Sequence, residues 1–388
     1  MAEMKQRSLE EVKKLSVDEA VEIMRQAGIV GAGGGGFPTY FKYMKPQPHL
    51  IVNATESEPG YWGDKMVQRE YLEEFLLLFE GMKAIFGFEQ ISMGVHEKDR
   101  EWFAAYQEHA TDGLYDIRYV PDTYALGEEK TLIKHSTDTK VPLFLDTPDG
   151  KRRPGMPPDV GIVVNNSETL LNVYNALFLG KPTTTTFFTV YGEEIDLKVY
   201  EAPIGASFAE ILGIAGLDVE NSAHLSLLDG GPYLHDMAIE EIGNGDGYVR
   251  RMTNALFVIA KDRQGKEYAD IKTPPPEEGI VSLVGEVSGV HIPLGGGLLK
   301  PAIPLVSEGD QVEYEQKLGE PVDEGFSIGV WASMGGEISS IENDIVAIGG
   351  GAVPQEEAEA EAEASKAGGA PPRGEAEPFQ EAEAETRR

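Results

Sequence analysis

Short apolar runs alternate with segments of helical spacing over residues 28–180, and this alternation constrains the fold more than any other feature of the sequence. Residues 50–54 and 161–165 are almost wholly apolar, as in strands that are buried on both faces. Residues 67–86 instead place large apolar side chains at the spacing of one helical face. The alternation predicts an α/β domain with a mostly parallel sheet.

Further elements complete this prediction. Ser16 and Glu19 have the spacing of a capping box, and Gly28 stands where a helix would end. We predict helices over the ranges 8–27, 67–86, 97–109 and 167–179. We predict strands over the ranges 50–54, 91–95, 117–120 and 161–165.

The pattern changes after residue 182. Residues 183–262 combine a hairpin, a short helix and two later strands, which predicts a small α+β unit. A proline-containing linker spans 263–278. Short β segments punctuated by glycine follow over 279–352, including 281–284, 290–293 and 338–341, and predict an all-β sandwich or barrel. The Glu- and Ala-rich tail, 353–388, is typical of disorder.

Composition excludes several classes of function. The formal charge is −33, which disfavours binding to nucleic acid or to anionic lipid. Cysteine is absent, so these residues hold no disulfide, no thiolate zinc site and no Cys-ligated iron–sulfur cluster. The seven histidines lack the close pairing that a metal site needs. No apolar run approaches the roughly 18 residues of a membrane span and the first ten residues are polar, so we expect a cytoplasmic protein.

A glycine-dense loop at 28–39 is the first candidate site. Glycine lets the backbone approach a ligand closely, and successive exposed amides form a cradle for anions such as phosphate. The run follows a predicted helix rather than a strand, so it is not an ordinary dinucleotide fingerprint. A purely structural turn is the alternative interpretation.

Three polar clusters accompany the loop. Residues 53–60 (NATESEPG) and 165–169 (NNSET) leave the ends of predicted strands, where α/β folds bind ligands, and residues 124–130 (YALGEEK) combine an aromatic ring with paired carboxylates. Together these groups suit a ribityl chain, a phosphate and a nicotinamide ribose. The alternatives are that Asn165 and Asn166 only cap a helix and that the acidic pairs only face solvent.

The four motifs stand in the order and approximate spacing of a known family. Residues 28–43 (GIVGAGGGGFPTYFKY) and the three clusters resemble the FMN-carrying, NADH-oxidising subunit of respiratory complex I. The C subunit of the Rnf electron-transport complex and the cobalamin reductase of propanediol-utilising microcompartments share this core. The resemblance implies a Rossmann-like FMN-binding core over residues 1–182.

The resemblance also interprets the later regions. Residues 183–262 look like a ubiquitin-like ligand-binding domain of the SLBB type, and residues 279–352 look like a lipoyl-like barrel-sandwich module. Their order here is that of the cobalamin reductase, whose iron–sulfur domain lies where this chain has only the 263–278 linker.

Carried over position by position, the resemblance implies a role for each motif residue. The flavin is lined by Gly31, Gly33 and Gly34, and its phosphate or ring is reached by Lys42. FMN is held by Asn53, Thr55 and Glu56, and its phosphate end by Asn165, Asn166 and Thr169. The nicotinamide nucleotide, NADH or NADPH, is contacted by Glu58 and Glu129 as the catalytic residues, and its adenine by Phe37. The pocket is closed by Tyr124 and Glu128.

The expected function is FMN-mediated oxidation of NAD(P)H, or the reverse, with electrons exchanged with a partner protein. Because no cysteine is present, iron–sulfur clusters or a corrinoid would belong to that partner. Ala32 and Met156 stand where complex I subunits carry Arg and Lys, and Thr55 where they carry Asp. These differences keep two alternatives open: a redox-inactive scaffold subunit, and a corrinoid reductase that acts through flavin alone.

Overall fold

The predicted parallel sheet is present in the computed structural model, which describes residues 4–56, 58–110, 113–147, 150–232, 237–239, 247–263 and 273–349. Its four strands are all parallel, in the order β3-β2-β1-β6. They are β1 (His49–Ala54), β2 (Gln90–His96), β3 (Asp116–Val120) and β6 (Ile162–Asn166). A separate antiparallel hairpin, absent from the prediction, precedes the last strand and consists of β4 (Phe144–Asp146) and β5 (Arg152–Pro154).

Eight helices accompany this sheet in the described residues: α1 (Leu9–Val12), α2 (Val17–Gln26), α3 (Thr39–Tyr43), α4 (Gly63–Glu70), α5 (Leu72–Phe86), α6 (Ala104–His109), α7 (Glu129–Thr137) and α8 (Ser167–Tyr174). The single helix predicted over 8–27 is wrong, because Ser16 and Glu19 form their capping box inside that range and start α2 afresh. The helix predicted over 67–86 is likewise two helices that meet at Tyr71. The one predicted over 97–109 forms only as α6 after a 3-10 turn.

A mixed six-stranded sheet follows, in the order β10-β9-β11-β7-β8-β12. Its strands are β7 (Thr185–Gly192), β8 (Ile195–Pro203), β9 (Leu225–Asp229), β10 (Met237–Ile239), β11 (Ala255–Ala260) and β12 (Val281–Ser282), and α9 (Phe208–Ile214) joins the hairpin to β9. Strands β7 and β8 form the predicted hairpin, and β11 pairs parallel to β7. Strand β12 comes from the range predicted for the last unit, and it extends this sheet by pairing with β8.

The C-terminal unit is all-β, as predicted. Two sheets, ordered β13-β19-β18-β15 and β14-β16-β17, contain the strands β13 (Gly289–Pro293), β14 (Ile303–Pro304), β15 (Gln311–Val312), β16 (Lys317–Glu320), β17 (Val330–Trp331), β18 (Gly336–Glu342) and β19 (Ile345–Gly349). The predicted disordered tail lies outside the described residues.

The apolar cores cross the boundaries between these units. One core packs α2, α5 and α8 against the parallel sheet and includes Ile328 of the C-terminal unit. A second joins the six-stranded sheet to the C-terminal strands. Within the described residues, no helix is both long enough and apolar enough to cross a membrane.

Candidate functional site

The connectivity of the parallel sheet creates a crevice between two strand ends. From β1 the chain moves outward through β2 and β3, whereas β6 lies on the other side of β1. In open α/β sheets, ligands bind at the carboxyl ends of strands where the strand order reverses in this way. The residues that follow Ala54 and the start of α8 leave these two ends, so the predicted clusters lie at one edge.

The glycine loop lies against the start of α8. The amide of Gly31 donates to the Phe37 carbonyl at 2.8 Å, which closes the base of the loop. The amide of Ala32 donates to Thr169 Oγ1 at 3.0 Å. A Cβ on Gly33 would lie 3.3 Å from the Asn166 side-chain nitrogen. These contacts bring the loop and the 165–169 cluster together, as predicted.

The tip of the loop has room for a ligand. At Gly34 and Gly35 an added Cβ would meet no heavy atom within 4 Å. Gly34 has φ of +101°, a conformation that glycine adopts without strain. The amides of Gly33 and Gly35 find no acceptor among the described residues. Exposed amides next to a helix N-terminus suit a phosphate.

Asn166 caps α8 and also faces the site. Its Oδ1 accepts from the Thr169 amide at 3.1 Å, which satisfies one of the free donors of the first helical turn. Its Nδ2 lies 3.4 Å from both carboxylate oxygens of Asp64, and Asp64 also accepts the Glu168 amide at 3.2 Å. The capping role is therefore real, and it fixes the asparagine beside the glycine loop.

The end of β1 holds the 124–127 turn in place. Asn53 Nδ2 donates to the Gly127 carbonyl at 3.1 Å, and Thr55 Oγ1 donates to the Leu126 carbonyl at 2.7 Å. On the same side, Tyr124 donates its hydroxyl to Glu58 at 2.6 Å. Glu58 is buried, and a buried carboxylate is costly unless it has hydrogen-bond partners. The Tyr124 hydroxyl is such a partner. The structure thus joins two of the predicted clusters.

Lys42 connects the remaining members. Its ammonium donates to the Val164 carbonyl at 2.7 Å and to Glu129 at 3.0 Å. The side chain of Lys42 is 16% exposed and that of Glu129 38% exposed, so the pair lies at the rim of the crevice. The Lys42 ammonium therefore lies at the rim, where it is paired with the Glu129 carboxylate.

An acidic cluster lies beneath the site, in which Asp64 and Glu168 are buried and Glu56 is half-buried. Burial, strengthened by the nearby Asp64 carboxylate, raises the pKa of Glu56 to about 8. Burial also raises the pKa of Asp64 to about 6, although the Glu168 amide and Asn166 oppose that shift. Glu168, which accepts the Thr186 hydroxyl at 2.6 Å, has its pKa raised well above the ordinary range by burial. Part of this cluster is protonated at neutral pH and can donate as well as accept hydrogen bonds.

These groups fit a flavin mononucleotide chemically. The buried Oδ1 of Asn165 has no hydrogen-bond partner among the described residues. The Asn165 amide nitrogen is already bound to Tyr43. An open acceptor, amide donors at a glycine loop and a rim lysine match the ribityl hydroxyls and the phosphate of such a ligand.

Two predicted residues have other contacts. Glu128 caps α7, because its carboxylate accepts from the amide of Thr131 at 2.9 Å. The ring of Phe37 packs edge-to-face against Phe41 and Phe326. Their predicted roles in closing the pocket and stacking on adenine stay predictions.

Sequence reasoning did not single out Asp64 or Phe326. The only local signal for Asp64 is its place in the first turn of a helix, where an acid is common.

Comparison with known proteins agrees with this architecture of an α/β nucleotide-binding core. Residues 24–175 match the family described as the Nuo51 FMN-binding domain, and residues 273–355 match the RnfC barrel sandwich hybrid domain. The chain therefore carries a Nuo51-type FMN-binding domain followed by an RnfC-type barrel-sandwich domain. This confirms the predicted family, whereas the SLBB-type identity of residues 183–262 stays a prediction.

Among curated proteins, the chain is similar to cobalamin reductase PduS of Salmonella typhimurium, at 30% identity over 64% of this chain and 51% of that protein. It is also similar to the C subunit of the ion-translocating oxidoreductase complex of Vibrio cholerae, at 33% identity over 47% of this chain and 22% of that protein. The chain thus spans about half or less of these relatives. A solved NAD+-reducing NiFe-hydrogenase has a similar fold, with a TM-score of 0.51 and 20% identity over 66% of this chain and 50% of that one.

Proposed function

We propose that this chain is an electron-transfer flavoprotein subunit that binds FMN in the crevice between β1 and β6. It would exchange electrons between NADH or NADPH and a partner protein. The observation that carries the proposal is the convergence of the glycine loop, Lys42 and the 165–169 cluster at the point where the strand order reverses, inside a region that matches an FMN-binding domain.

The chain's own residues supply binding and orientation. The amides of Gly33 and Gly35 and the ammonium of Lys42 would hold the phosphate, and the Asn165 carbonyl oxygen would accept from a ligand hydroxyl. When bound, FMN supplies the capacity to accept a hydride and to release single electrons. Glu129 and Glu58 would orient the nicotinamide nucleotide at the rim.

The buried acids would keep the site close to neutral. A fully ionised cluster of Glu56, Asp64 and Glu168 beneath an anionic cofactor would repel it. Because burial raises the pKa of each of these groups, protons remain on part of the cluster and limit that repulsion.

The partner would take the electrons directly from the flavin. The 388 residues contain no cysteine, so a Cys-ligated cluster would have to lie outside them. The names of the relatives suggest two acceptor classes, another member of an ion-translocating oxidoreductase complex and a corrinoid.

An anaerobic flavin titration tests the proposal. Protein reconstituted with FMN and freed of excess cofactor should show a bound-flavin spectrum, and NADH or NADPH should bleach it without oxygen. Adding cob(III)alamin to the reduced protein then tests the corrinoid alternative. A protein that stays colourless after reconstitution contradicts the proposal.

A redox-inactive scaffold subunit is the second candidate. Two observations favour it: Lys42 is already paired with Glu129, and Met156 is neutral and 44% exposed where the resemblance places a lysine. Few cations therefore face a nucleotide. Flavin that binds but is not reduced by either nucleotide would support this candidate.

A further inference from the structure

The barrel-sandwich domain completes the helix that leads into the glycine loop. The amide of Gly329 donates to the Arg25 carbonyl at 2.9 Å, and the indole of Trp331 donates to the Gln26 carbonyl at 2.7 Å. Carbonyls in the last turn of a helix lack the amide partner that interior ones have. Here a segment that lies 305 residues further along the chain, counted from Gln26 to Trp331, supplies those donors.

The two surfaces approach as closely as backbone allows. A Cβ on Gly28 would lie 2.5 Å from the Gly329 carbonyl oxygen, and one on Gly329 would lie 2.1 Å from the Gln26 carbonyl oxygen. Arg25 adds a hydrogen bond of 2.6 Å to the Val322 carbonyl. Residues 322–331, which we call the clamp segment, therefore hold the N-terminal flank of the loop.

The same segment holds the C-terminal flank. The ring of Phe326 lies 5.3 Å from that of Phe37 and 5.1 Å from that of Phe41, centroid to centroid, with both pairs edge-to-face. Phe37 and Phe41 lie 5.9 Å apart, so the three rings form one cluster. Phe37 directly follows Gly36, the last glycine of the loop.

We propose that the clamp segment holds both flanks of the glycine loop, with Phe326 as a positioning residue, so that flavin affinity depends on the docked barrel-sandwich domain. The part of this inference that concerns flavin rests on the proposed function. The part that concerns order in the loop holds for the protein without ligand.

Glycine-rich backbone loses more conformational freedom on ordering than any other, so a loop fixed in advance binds more tightly. The tip at residues 33–35 is exposed and has few contacts of its own. Its conformation is therefore set mainly by its flanks. An ordinary domain interface would contribute to stability without affecting amide exchange in the loop.

Phe326→Ala tests the inference, with Leu305→Ala as the matched control. Leu305 is an exposed apolar residue of the same domain, and its amide pairs with the Leu318 carbonyl within that domain. Hydrogen exchange in the ligand-free protein should show the hydrogen-bonded amides of Gly31, Ala32 and Gly36 exchanging about tenfold faster in Phe326→Ala and unchanged in Leu305→Ala. The Kd for FMN, from quenching of flavin fluorescence, should rise about tenfold, or about 1.4 kcal/mol. Phe326→Tyr keeps the ring and should restore both values.

The outcomes separate the two proposals. Unchanged loop exchange in Phe326→Ala overturns the positioning role, whatever happens to the melting temperature. If Phe326→Ala fails to fold, loop exchange is measured in Phe326→Leu instead. This variant keeps the apolar volume but removes the ring contacts, so the same result is expected. Faster loop exchange in a protein whose wild type binds no FMN supports the positioning role and sinks the proposed function alone.

Discussion

Replacing Glu56 with glutamine removes a carboxyl group that lies half-buried beside Asp64. Burial raises its pKa from an ordinary value of 4.5 to about 8. Between those values the native protein keeps a proton that the unfolded chain has lost. The free energy of unfolding therefore falls as the pH rises through this window, and the contribution of the group is lost above the native pKa.

The size of the effect follows from the two pKa values. One unit of difference is worth about 1.4 kcal/mol. From about pH 6 to about pH 9 the unfolded carboxyl is ionised throughout, whereas the native one ionises near pH 8, so wild type should lose about 3 kcal/mol through Glu56. Asp64, with its pKa raised to about 6, acts mainly below this window.

Urea denaturation of wild type and Glu56→Gln at both pH values measures the effect. Glutamine cannot ionise, so it removes this pH dependence. The free energy of unfolding of the mutant should therefore rise by about 3 kcal/mol relative to that of wild type between about pH 6 and about pH 9. Glu73→Gln, at a position on α5 away from the buried acids, should show no such gain. If the free energies of unfolding of Glu56→Gln and wild type differ by the same amount at both pH values, the argument from the raised pKa of Glu56 is refuted.

Three further outcomes are expected. Gly34→Val should weaken FMN binding at least about tenfold, measured by flavin retention, whereas Gly87→Val, at another positive φ remote from the loop, should leave it unchanged. Glu129→Gln should slow reduction by NADH about tenfold in stopped-flow while affecting FMN affinity less; wild-type rates at saturating NADH would show that the Lys42 pair is only a surface contact. Gly329→Ala should lower the free energy of unfolding by about 2–4 kcal/mol in denaturant titration, and an unchanged value would contradict the close contact with α2.

The parallel sheet could be predicted from hydrophobic pattern because its strands are buried on both faces and read as apolar runs. Two C-terminal strands, predicted over 290–293 and 338–341, are confirmed as β13 and β18. The two-residue strand Gln311–Val312 escapes prediction because it is too short to show a period of two. The pairing of Val281–Ser282 with β8 escapes prediction because pairing partners depend on how the units dock, which local pattern does not encode.

At the site, motif chemistry located the strand ends correctly because polar residues there interrupt apolar runs. It did not find Asp64, which acts through the amide of Glu168 more than a hundred residues away. It also missed Phe326, since one aromatic residue in a turn of a β domain has no local sign of a contact near residue 37. Both omissions concern contacts between distant parts of the chain.

The bonds from Gly329 and Trp331 to the end of α2 also bear on the order of synthesis. The Trp331 bond joins residues 305 positions apart. As the chain leaves the ribosome, the carbonyls that close α2 must stay hydrated until nearly all of the described chain has emerged. The α/β core is thus completed by a domain that is synthesised after it, and a ribosome-bound chain that ends before residue 329 should expose the α2 terminus and the glycine loop to protease.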